Sequence, residues 1–350
     1  MPRNPASPFG GDARTSWLFG LVGLAVLAAA AFGFRATATE GSTTDATGGN
    51  GEATAAATAA SAGCGSTTGP VQPGQAYEAT LADQGVDRAY RFTPPPEYSP
   101  DEPTKVILLF HGTGGTIDDI EQYTGLVADA NARGFAVLTP QGLSRSTPQG
   151  ELPAAWNVPG FETPADDVAF VEALLSEVGG IACLDLNGVY ATGISAGGAF
   201  PAWLACSSDV VAGIAPIAGA NLVRPCPEGR PVAYLGFHGT ADFFVSYDGI
   251  AEAPENGDFY NGPALEVAAG WAQRAGCGDF ADSETPPDVS LRDWDGCAGA
   301  DVQQYSIAEG GHTWPGAEAA AREECCGATT ATIDANALML DFFAANSRQL

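Results

Sequence analysis

The segment GVYATGISAGG, residues 188–198, constrains the fold of this chain more than any other stretch. A short apolar run leads into Gly193–Gly197 and then into a helix-forming stretch, so the sequence predicts a strand, a very tight turn and a helix. The turn has the G-x-S-x-G pattern of a nucleophile elbow, in which glycines let the strand and the helix approach closely. The segment therefore predicts that Ser195 is lifted clear of a sheet at the N-terminus of a helix.

The motif alone is weak, because the chain holds 45 glycines in 350 residues and an ordinary Gly-rich turn fits the same pattern. The surrounding periodicity strengthens it. An antiparallel strand pair is expected at 77–81 and 89–93, followed by buried strands at 106–110, 135–138, 211–217, 232–237 and 302–307. Helices are expected at 117–132, 168–178, 264–275 and 330–345. This alternation predicts an α/β fold with a mainly parallel sheet covered by helices on both faces.

All three histidines of the chain stand next to a glycine at or just after the end of a predicted strand. His111, His238 and His312 follow the strands expected at 106–110, 232–237 and 302–307, respectively. A lone histidine is usually structural. Three at strand ends, together with a serine elbow, predict a catalytic site at the C-terminal edge of the sheet.

A catalytic triad needs a nucleophile, a base and a carboxylate that orients the base. The chain order Ser195, Asp242, His312 matches the Ser…Asp…His order of α/β-hydrolases. We therefore predict Ser195 as the nucleophile, His312 as the base and Asp242 as the acid. Asp248 is a competing acid, but it lies further from its strand end.

The Gly-rich stretch HGTGG, residues 111–115, follows the first buried strand. Such a loop supplies one backbone N–H of an oxyanion hole, and the residue after the nucleophile supplies another. We predict the N–H groups of Thr113 and Ala196 in these roles, with Gly114 as an alternative to Thr113. His111 and His238 are interpreted as structural, bound to loop backbone.

Two pairs of residues near the predicted site have more than one interpretation. Trp156 and Trp314 either pack within their loops or line a substrate pocket for an acyl or aromatic group. Asp166 and Asp167 suggest acid–base chemistry or a metal site, but capping of the following helix is the favoured interpretation.

The formal net charge of −28 argues against nucleic acid and anionic membrane as partners, because such a surface repels polyanions. Neutral substrates remain open. The cysteines show no zinc-finger spacing and the chain has only three histidines, so no metal site is expected. The predicted chemistry needs no cofactor.

Eight cysteines predict disulfides in an exported chain. The best single pairing is Cys277 with Cys297, because both flank one irregular loop. Cys325 and Cys326 are adjacent, and we expect each to bond to a different partner.

The N-terminal region predicts export. Residues 1–38 contain an uninterrupted apolar run at 17–34 and an A-x-A-like cleavage site, and are interpreted as a signal peptide or an N-terminal membrane anchor. Residues 39–63, rich in Ala, Thr, Gly and Ser, predict a disordered linker. Residues 64–350 are the predicted catalytic domain, outside the cytoplasm and attached to the membrane, if at all, only through that anchor.

The stretch from Cys64 to Phe343 resembles the secreted esterases grouped as polyhydroxybutyrate depolymerases and feruloyl esterases. The matching runs are FHG at 110–112, TPQG at 139–142, WN at 156–157, DDV at 166–168, GISAGG at 193–198, HGTAD at 238–242 and GHTWPG at 311–316. The resemblance implies a carboxylic ester hydrolase of the α/β-hydrolase fold. Many members carry Cys where this chain has Thr113, so one disulfide of the family is in doubt here.

The sequence therefore predicts an extracytoplasmic serine carboxylesterase that acts through an acyl-enzyme. Its substrate is an ester, small or polymeric: a polyhydroxybutyrate-type polyester, a feruloyl ester or an acetyl ester. One alternative is a serine peptidase on the same fold, which would usually need a further substrate-gating domain. The other is a non-catalytic polymer-binding module of the cell envelope, which would be expected to have an incomplete triad.

Overall fold

The computed structural model describes residues 59–147, 150–160, 165–226, 228–250, 260–317 and 323–348. The predicted signal or anchor and residues 39–58 of the predicted linker lie outside these ranges. Residues 59–63 are described and are part of the folded domain: the Ser61 N–H donates to the Leu184 carbonyl at 2.9 Å, and its hydroxyl donates to the Ala182 carbonyl at 2.7 Å. The prediction that residues 59–63 belong to a disordered linker is therefore wrong.

The described residues form a ten-stranded sheet and a separate hairpin of two strands. In chain order the strands are β1 (Tyr77–Asp83), β2 (Val86–Thr93), β3 (Thr104–Phe110), β4 (Ala136–Pro140), β5 (Leu143–Thr147), β6 (Gly150–Ala155), β7 (Leu184–Ile194), β8 (Gly213–Ile217), β9 (Ala233–Gly239), β10 (Phe280–Thr285), β11 (Val289–Trp294) and β12 (Val302–Ile307). The order across the sheet is β1-β2-β4-β3-β7-β8-β9-β12-β11-β10. The strands from β4 to β12 in this order are parallel, and antiparallel pairs flank them at both edges.

Helices alternate with the parallel strands, as the sequence predicts. They are α1 (Ile117–Thr124), α2 (Leu126–Ala132), α3 (Asp167–Ile181), α4 (Ala196–Ser207), α5 (Ala264–Arg274), α6 (Glu323–Cys326) and α7 (Ala335–Ala345). The single helix expected over 117–132 is two helices, because Gly125 has φ 65° and ends α1 in a left-handed cap. The last helix begins at 335, where the Asp334 side chain accepts a hydrogen bond from the Ala337 N–H. In the described part of the chain, no helix is both long and apolar enough to cross a bilayer.

The core lies on both faces of the parallel strands. Val106–Phe110 in β3 are completely buried, as the continuous apolar run predicts. Because β3, β7, β9 and β12 run in one direction, the loops that follow them meet at one edge of the sheet. This architecture confirms the predicted α/β-hydrolase fold, and it sends every predicted triad residue to the same edge.

Four disulfides pair all eight cysteines. The structure joins Cys277 to Cys297, the pair expected from the sequence. Cys64–Cys183 and Cys206–Cys226 are two more pairs. The expectation that Cys325 and Cys326 have different partners is wrong: the two neighbours bond to each other, in the short helix α6.

Candidate active site

Ser195 lies in the tight turn between β7 and α4. Its backbone has φ 62° and ψ −126°, a positive-φ conformation that costs energy for any residue with a side chain. The Ser195 N–H donates to the Ile217 carbonyl of β8 at 3.1 Å, which fixes the turn against the neighbouring strand. The hydroxyl does not cap α4, and the residue is half-buried. The sequence therefore forms the strained turn that a nucleophile elbow requires.

Two glycines make this turn sterically feasible. A Cβ at Gly193 would lie 2.3 Å from the carbonyl oxygen of Phe110, and a Cβ at Gly197 would lie 2.2 Å from the same oxygen. Both distances are far inside van der Waals contact. The G-x-S-x-G spacing is thus required by the close approach of β3, β7 and α4 around Ser195.

Asp242 and His312 form a buried hydrogen-bonded pair. Asp242 Oδ2 accepts from His312 Nδ1 at 2.7 Å, and the two residues are 5% and 8% exposed. The other carboxylate oxygen, Oδ1, accepts the backbone N–H groups of Phe244 and Val245 at 2.9 Å each. Asp242 follows β9 and His312 follows β12, so two neighbouring parallel strands bring the pair together.

His238, at the end of β9, is a second histidine beside the Asp242 carboxylate. Its Nε2 lies 3.5 Å from Asp242 Oδ2 and 2.8 Å from the carbonyl of Val245, to which it donates. Burial raises the pKa of Asp242, but hydrogen bonds from His238, His312 and the Val245 N–H outweigh burial and hold this pKa well below its ordinary value. The sequence interpretation of His238 as purely structural omitted this contact, which an i, i+4 spacing to Asp242 could have signalled.

The loop that carries His312 is held by one short segment of backbone. The His312 N–H donates to the Cys326 carbonyl at 2.7 Å, and the Gly311 N–H donates to the Ala328 carbonyl at 2.9 Å. The Thr313 hydroxyl donates to the same Ala328 carbonyl at 3.1 Å. The segment that supports the base therefore begins at the Cys325–Cys326 disulfide.

The loop after β3 passes directly beside the elbow. A Cβ built at Gly112 would lie 3.4 Å from the Ser195 Cβ. The Gly114 N–H donates to the Ala154 carbonyl at 2.7 Å and is therefore engaged. Of the two donors that the sequence left open, this hydrogen bond removes Gly114 and leaves the N–H of Thr113 as the candidate.

His111 stabilises the loop after β3 through hydrogen bonds of both ring nitrogens. Its Nε2 accepts the Gly142 N–H at 2.9 Å, so Nδ1 carries the proton and donates to the Gly112 carbonyl at 2.8 Å. The side-chain nitrogen of Gln141 also lies 2.9 Å from His111 Nε2. Burial lowers the pKa of His111, which keeps the ring neutral and this tautomer in place. The structural interpretation of His111 fits these contacts.

Trp156 and Trp314 lie behind the site. Trp156 is completely buried, stacks on Phe200 with ring centroids 5.4 Å apart, and donates its indole N–H to the His111 carbonyl at 2.8 Å. Trp314 is 1% exposed and donates its indole N–H to Asn336 at 3.0 Å. The prediction that they line a substrate pocket is contradicted by this burial, because neither ring has a face for a substrate. They support the loops instead.

The adjacent acids Asp166 and Asp167 have different roles. Asp166 caps α3, with Oδ1 accepting the N–H groups of Val168 and Ala169, as the sequence predicts. Asp167 is completely buried and forms an ion pair with the equally buried Arg88. Sequence reasoning missed this pair, since its members are 79 residues apart. Within the described ranges, no group of three His, Cys, Asp or Glu side chains could hold a metal ion.

The C-terminal edge of the sheet thus collects the hydroxyl of Ser195, the His312–Asp242 pair and the N–H groups of Thr113 and Ala196. The Ala196 N–H lies in the first turn of α4, where the helix itself offers no acceptor. A hydroxyl, an oriented imidazole and backbone donors are the groups that nucleophilic acyl transfer uses.

Known esterases are similar to this chain in sequence. NocK of Nocardia uniformis subsp. tsuyamanensis, which is assigned as an esterase, is 30% identical over 278 residues, 74% of this chain and 79% of NocK. "Probable feruloyl esterase C" of Aspergillus niger is 31% identical over 54% of this chain and 69% of its own length. Feruloyl esterase C of Emericella nidulans is 32% identical over 52% of this chain and 66% of its own length. No protein-family profile matches the chain.

Solved structures agree on the fold. An acetyl xylan esterase from Aspergillus awamori superposes with a TM-score of 0.50 at 15% identity, covering 69% of this chain and 94% of that one. An S-formylglutathione hydrolase from Agrobacterium tumefaciens gives the same TM-score at 13% identity, covering 81% and 99%. With the sequence relatives, these findings confirm the predicted family and fold: the chain belongs to the feruloyl-esterase-like family of carboxylic ester hydrolases, built on the α/β-hydrolase fold.

Proposed function

We propose that Ser195, His312 and Asp242 form the catalytic triad of this esterase. The observation that supports the proposal best is the 2.7 Å bond between His312 Nδ1 and the buried Asp242 carboxylate, at the sheet edge where Ser195 occupies its strained turn. The bond leaves Nε2 as the ring nitrogen available to a substrate and a nucleophile. Asp248, the rival acid, is exposed.

In this mechanism Ser195 Oγ attacks the ester carbonyl while His312 Nε2 takes its proton. The low pKa of Asp242 keeps its carboxylate charged, so that it orients the imidazole and stabilises it once protonated. The N–H groups of Thr113 and Ala196 stabilise the tetrahedral oxyanion. His312 then gives its proton to the leaving alcohol, and a water activated by the same ring releases the acid from the acyl-enzyme.

For the natural substrate, a feruloyl-type ester is the best-supported choice, because two of the sequence relatives carry that activity in their names. A polyhydroxybutyrate-type polyester and an acetyl ester stay predictions of the sequence.

We further propose that the enzyme works outside the cytoplasm, as a domain that follows the N-terminal signal or anchor and its linker. Four disulfides in the described residues support this location, since such bonds persist in oxidising compartments.

The direct test is hydrolysis of p-nitrophenyl acetate and methyl ferulate by the full chain, with Ser195→Ala beside the wild type. Removal of the nucleophile is expected to lower kcat by at least about a thousandfold. Labelling with a fluorophosphonate probe, located by peptide mapping, should modify Ser195 in the wild type alone.

Ser176→Ala is the matched control, because Ser176 lies exposed on α3 and its loss should leave both readouts unchanged. Equal turnover by wild type and Ser195→Ala would overturn the triad. A folded wild type that labels with the probe but cleaves peptides instead of these esters would favour the peptidase alternative.

A further inference from the structure

The loop after Asp242 exposes two adjacent phenylalanine rings. Phe243 is 66% exposed and Phe244 is 48% exposed, although phenylalanine normally gains by leaving water. Their ring centroids are 4.4 Å apart, with planes inclined by 32°, so they present one continuous apolar surface. Paired exposed rings beside a reactive group are typical of a binding surface.

The backbone that carries these rings is fixed. The N–H groups of Phe244 and Val245 both donate to Asp242 Oδ1, and the Val245 carbonyl accepts from His238. Val245 is only 5% exposed and anchors the loop in the core. The rings are therefore held in place before any ligand arrives, which lowers the entropy cost of binding.

The two phenylalanine rings lie on the side of the site that carries His312. The Phe244 ring centroid lies 5.2 Å from that of His312. In the sheet, the loop with Thr113 follows β3 on one side of β7, whereas Phe243 and Phe244 follow β9, two strands away on the other side. The rings thus lie on the side of the base, away from the predicted oxyanion donors.

That side receives the leaving group. To be protonated, the alkoxy oxygen of the ester must come within hydrogen-bond reach of His312 Nε2. If the alkoxy oxygen carries an aromatic ring through one carbon, that ring reaches a distance from His312 comparable to the 5.2 Å between the ring centroids of His312 and Phe244. An aromatic alcohol portion can therefore contact the exposed rings while its ester carbonyl stays at Ser195.

We propose that Phe243 and Phe244 bind an aromatic group in the alcohol portion of the ester and so determine leaving-group specificity. This inference rests on the proposed triad, because it takes His312 as the group that protonates the leaving alcohol. The contact is separate from the acyl portion, which carries the ring of a feruloyl ester. It also differs from the acyl or aromatic pocket that was one of the two interpretations of Trp156 and Trp314, whose rings are buried.

Three esters distinguish a contact with the alcohol portion of the substrate from a contact with the acyl portion. Benzyl acetate has an aromatic alcohol, ethyl 3-phenylpropanoate has an aromatic acyl group, and ethyl acetate has neither. In the Phe243→Ala/Phe244→Ala variant, the ratio of kcat/KM for benzyl acetate to that for ethyl acetate should fall about tenfold, in line with the contribution of aromatic pairs. The ratio for ethyl 3-phenylpropanoate to ethyl acetate should keep its wild-type value.

Two further variants control the experiment. Phe280→Ala removes a ring that is 48% exposed at the start of β10, where β11 and β12 place it at the opposite edge of the sheet, and it should leave both ratios unchanged. Phe243→Ala alone leaves the Phe244 ring on His312 and should still lower the benzyl ratio about threefold, so the proposal can be tested even if the double variant misfolds.

The outcomes are distinct. An unchanged benzyl ratio in both Phe243 variants, with ethyl acetate still hydrolysed, would overturn the proposal and leave the triad intact. A loss confined to ethyl 3-phenylpropanoate would place the rings on the acyl side and also overturn it. If wild type hydrolyses p-nitrophenyl acetate or methyl ferulate but none of these three esters, this proposal fails and the proposed function stands. If it hydrolyses none of the five, the proposed function fails as well.

Discussion

The two loop regions on either side of Ser195 are built in different ways. On the oxyanion side, the loop after β3 is fastened by buried side chains: His111 binds Gly142, and Trp156 donates to the His111 carbonyl. On the base side, the His312 loop is held by the backbone carbonyls of Cys326 and Ala328, and the ring by Asp242. Buried side chains support the first side, whereas mainly backbone groups support the second, although His312 and Asp242 are themselves buried.

This difference follows from what each side must do. Donors for an oxyanion are effective only if they are already oriented when charge develops, so rigid support from the core is an advantage. The base side must also accept the variable portion of the substrate, and there the chain leaves Phe243 and Phe244 in solvent. The oxyanion donors are therefore supported by core side chains, whereas the residues proposed to distinguish substrates, Phe243 and Phe244, lie exposed on the base side.

The largest effect should come from Asp242→Asn on the base side. Asparagine can still accept the N–H groups of Phe244 and Val245 through Oδ1, so the loop should fold, but its amide cannot accept the His312 Nδ1 proton in the same way. We expect kcat to fall by about 10⁴-fold, as when a triad histidine is held in the wrong tautomer. Steady-state kinetics measures the effect, and a loss below about tenfold would contradict the proposed role.

Asp248→Asn is the matched control, since Asp248 is exposed and six residues further along the same loop. It should leave kcat unchanged. If the two variants exchanged their effects, Asp248 would be the orienting acid and the contact at Asp242 would be structural.

The framework of this site could be predicted from sequence because its signals are local. The elbow shows its glycine spacing within five residues, and the buried strand Val106–Phe110 shows a continuous apolar run. Chain order then places Asp242 and His312 after parallel strands, which end at one edge of the sheet. Periodicity and topology were sufficient for these features.

The features that the sequence did not predict depend on long-range packing or show no local pattern. The β10–β11 hairpin was missed because every residue of β10 is exposed, so it shows no apolar alternation. Whether Trp156 packs within its loop or lines a pocket stayed open, because the sequence does not show what surrounds a loop tryptophan on the site face. Only the fold places Phe110 and Phe200 around its ring. Likewise, no local pattern distinguishes Asp166, which caps a helix, from Asp167, which pairs with Arg88.

Asp167→Asn tests how much the buried ion pair in the core contributes to stability. The change leaves Arg88 as a buried charge without its partner, and removal of one member of a buried ion pair typically costs about 3–5 kcal/mol. We expect the free energy of unfolding, measured by urea denaturation, to fall by about this amount. Asp166→Asn should cost almost nothing, because asparagine caps helices as well as aspartate does. Equal losses for the two variants would contradict a special role for the pair.

Cys325→Ser/Cys326→Ser tests the backbone support of the base. The Cys326 carbonyl accepts the His312 N–H, so loosening this segment should misplace the imidazole and lower kcat roughly tenfold, less than the hundredfold that a full ångström can cost. Stability should change little, because a disulfide between neighbours closes almost no chain.

Cys277→Ser/Cys297→Ser should show the reverse pattern. This disulfide closes a loop of 20 residues away from the His312 loop, so its loss should cost about 3 kcal/mol of stability and leave kcat unchanged. Kinetics and thermal unfolding of both double variants complete the comparison. If both lower stability equally and neither changes kcat, the segment at Cys326 does not position His312.

The smallest expected effect is a difference between the two sides in how their contribution to stability depends on pH. Burial lowers the pKa of His111 from its ordinary value of 6.5; Arg88 lowers it further, whereas the Gly112 carbonyl and Asp119 act in the opposite direction. The unfolded chain therefore binds a proton that the folded chain excludes. The stability from neutral His111 is complete above pH 6.5 and is lost as pH falls from there towards the folded pKa. On the base side, the pKa of Asp242 lies below its ordinary value of 3.8, so its contribution is lost only under more acidic conditions.

Urea denaturation at pH 7.5 and 5.5 measures this separation. Between pH 7.5 and pH 5.5, the free energy of unfolding of the wild type should fall by about 1 kcal/mol more than that of His111→Gln, since one proton per pH unit corresponds to about 1.4 kcal/mol. Comparing the two proteins at the same pH values cancels the contributions of other titrating groups, and glutamine can still accept the Gly142 N–H through its carbonyl oxygen. An equal loss in both proteins would mean that His111 is free to protonate in the folded state. The oxyanion side would then lack the rigid, neutral support that distinguishes it from the base side.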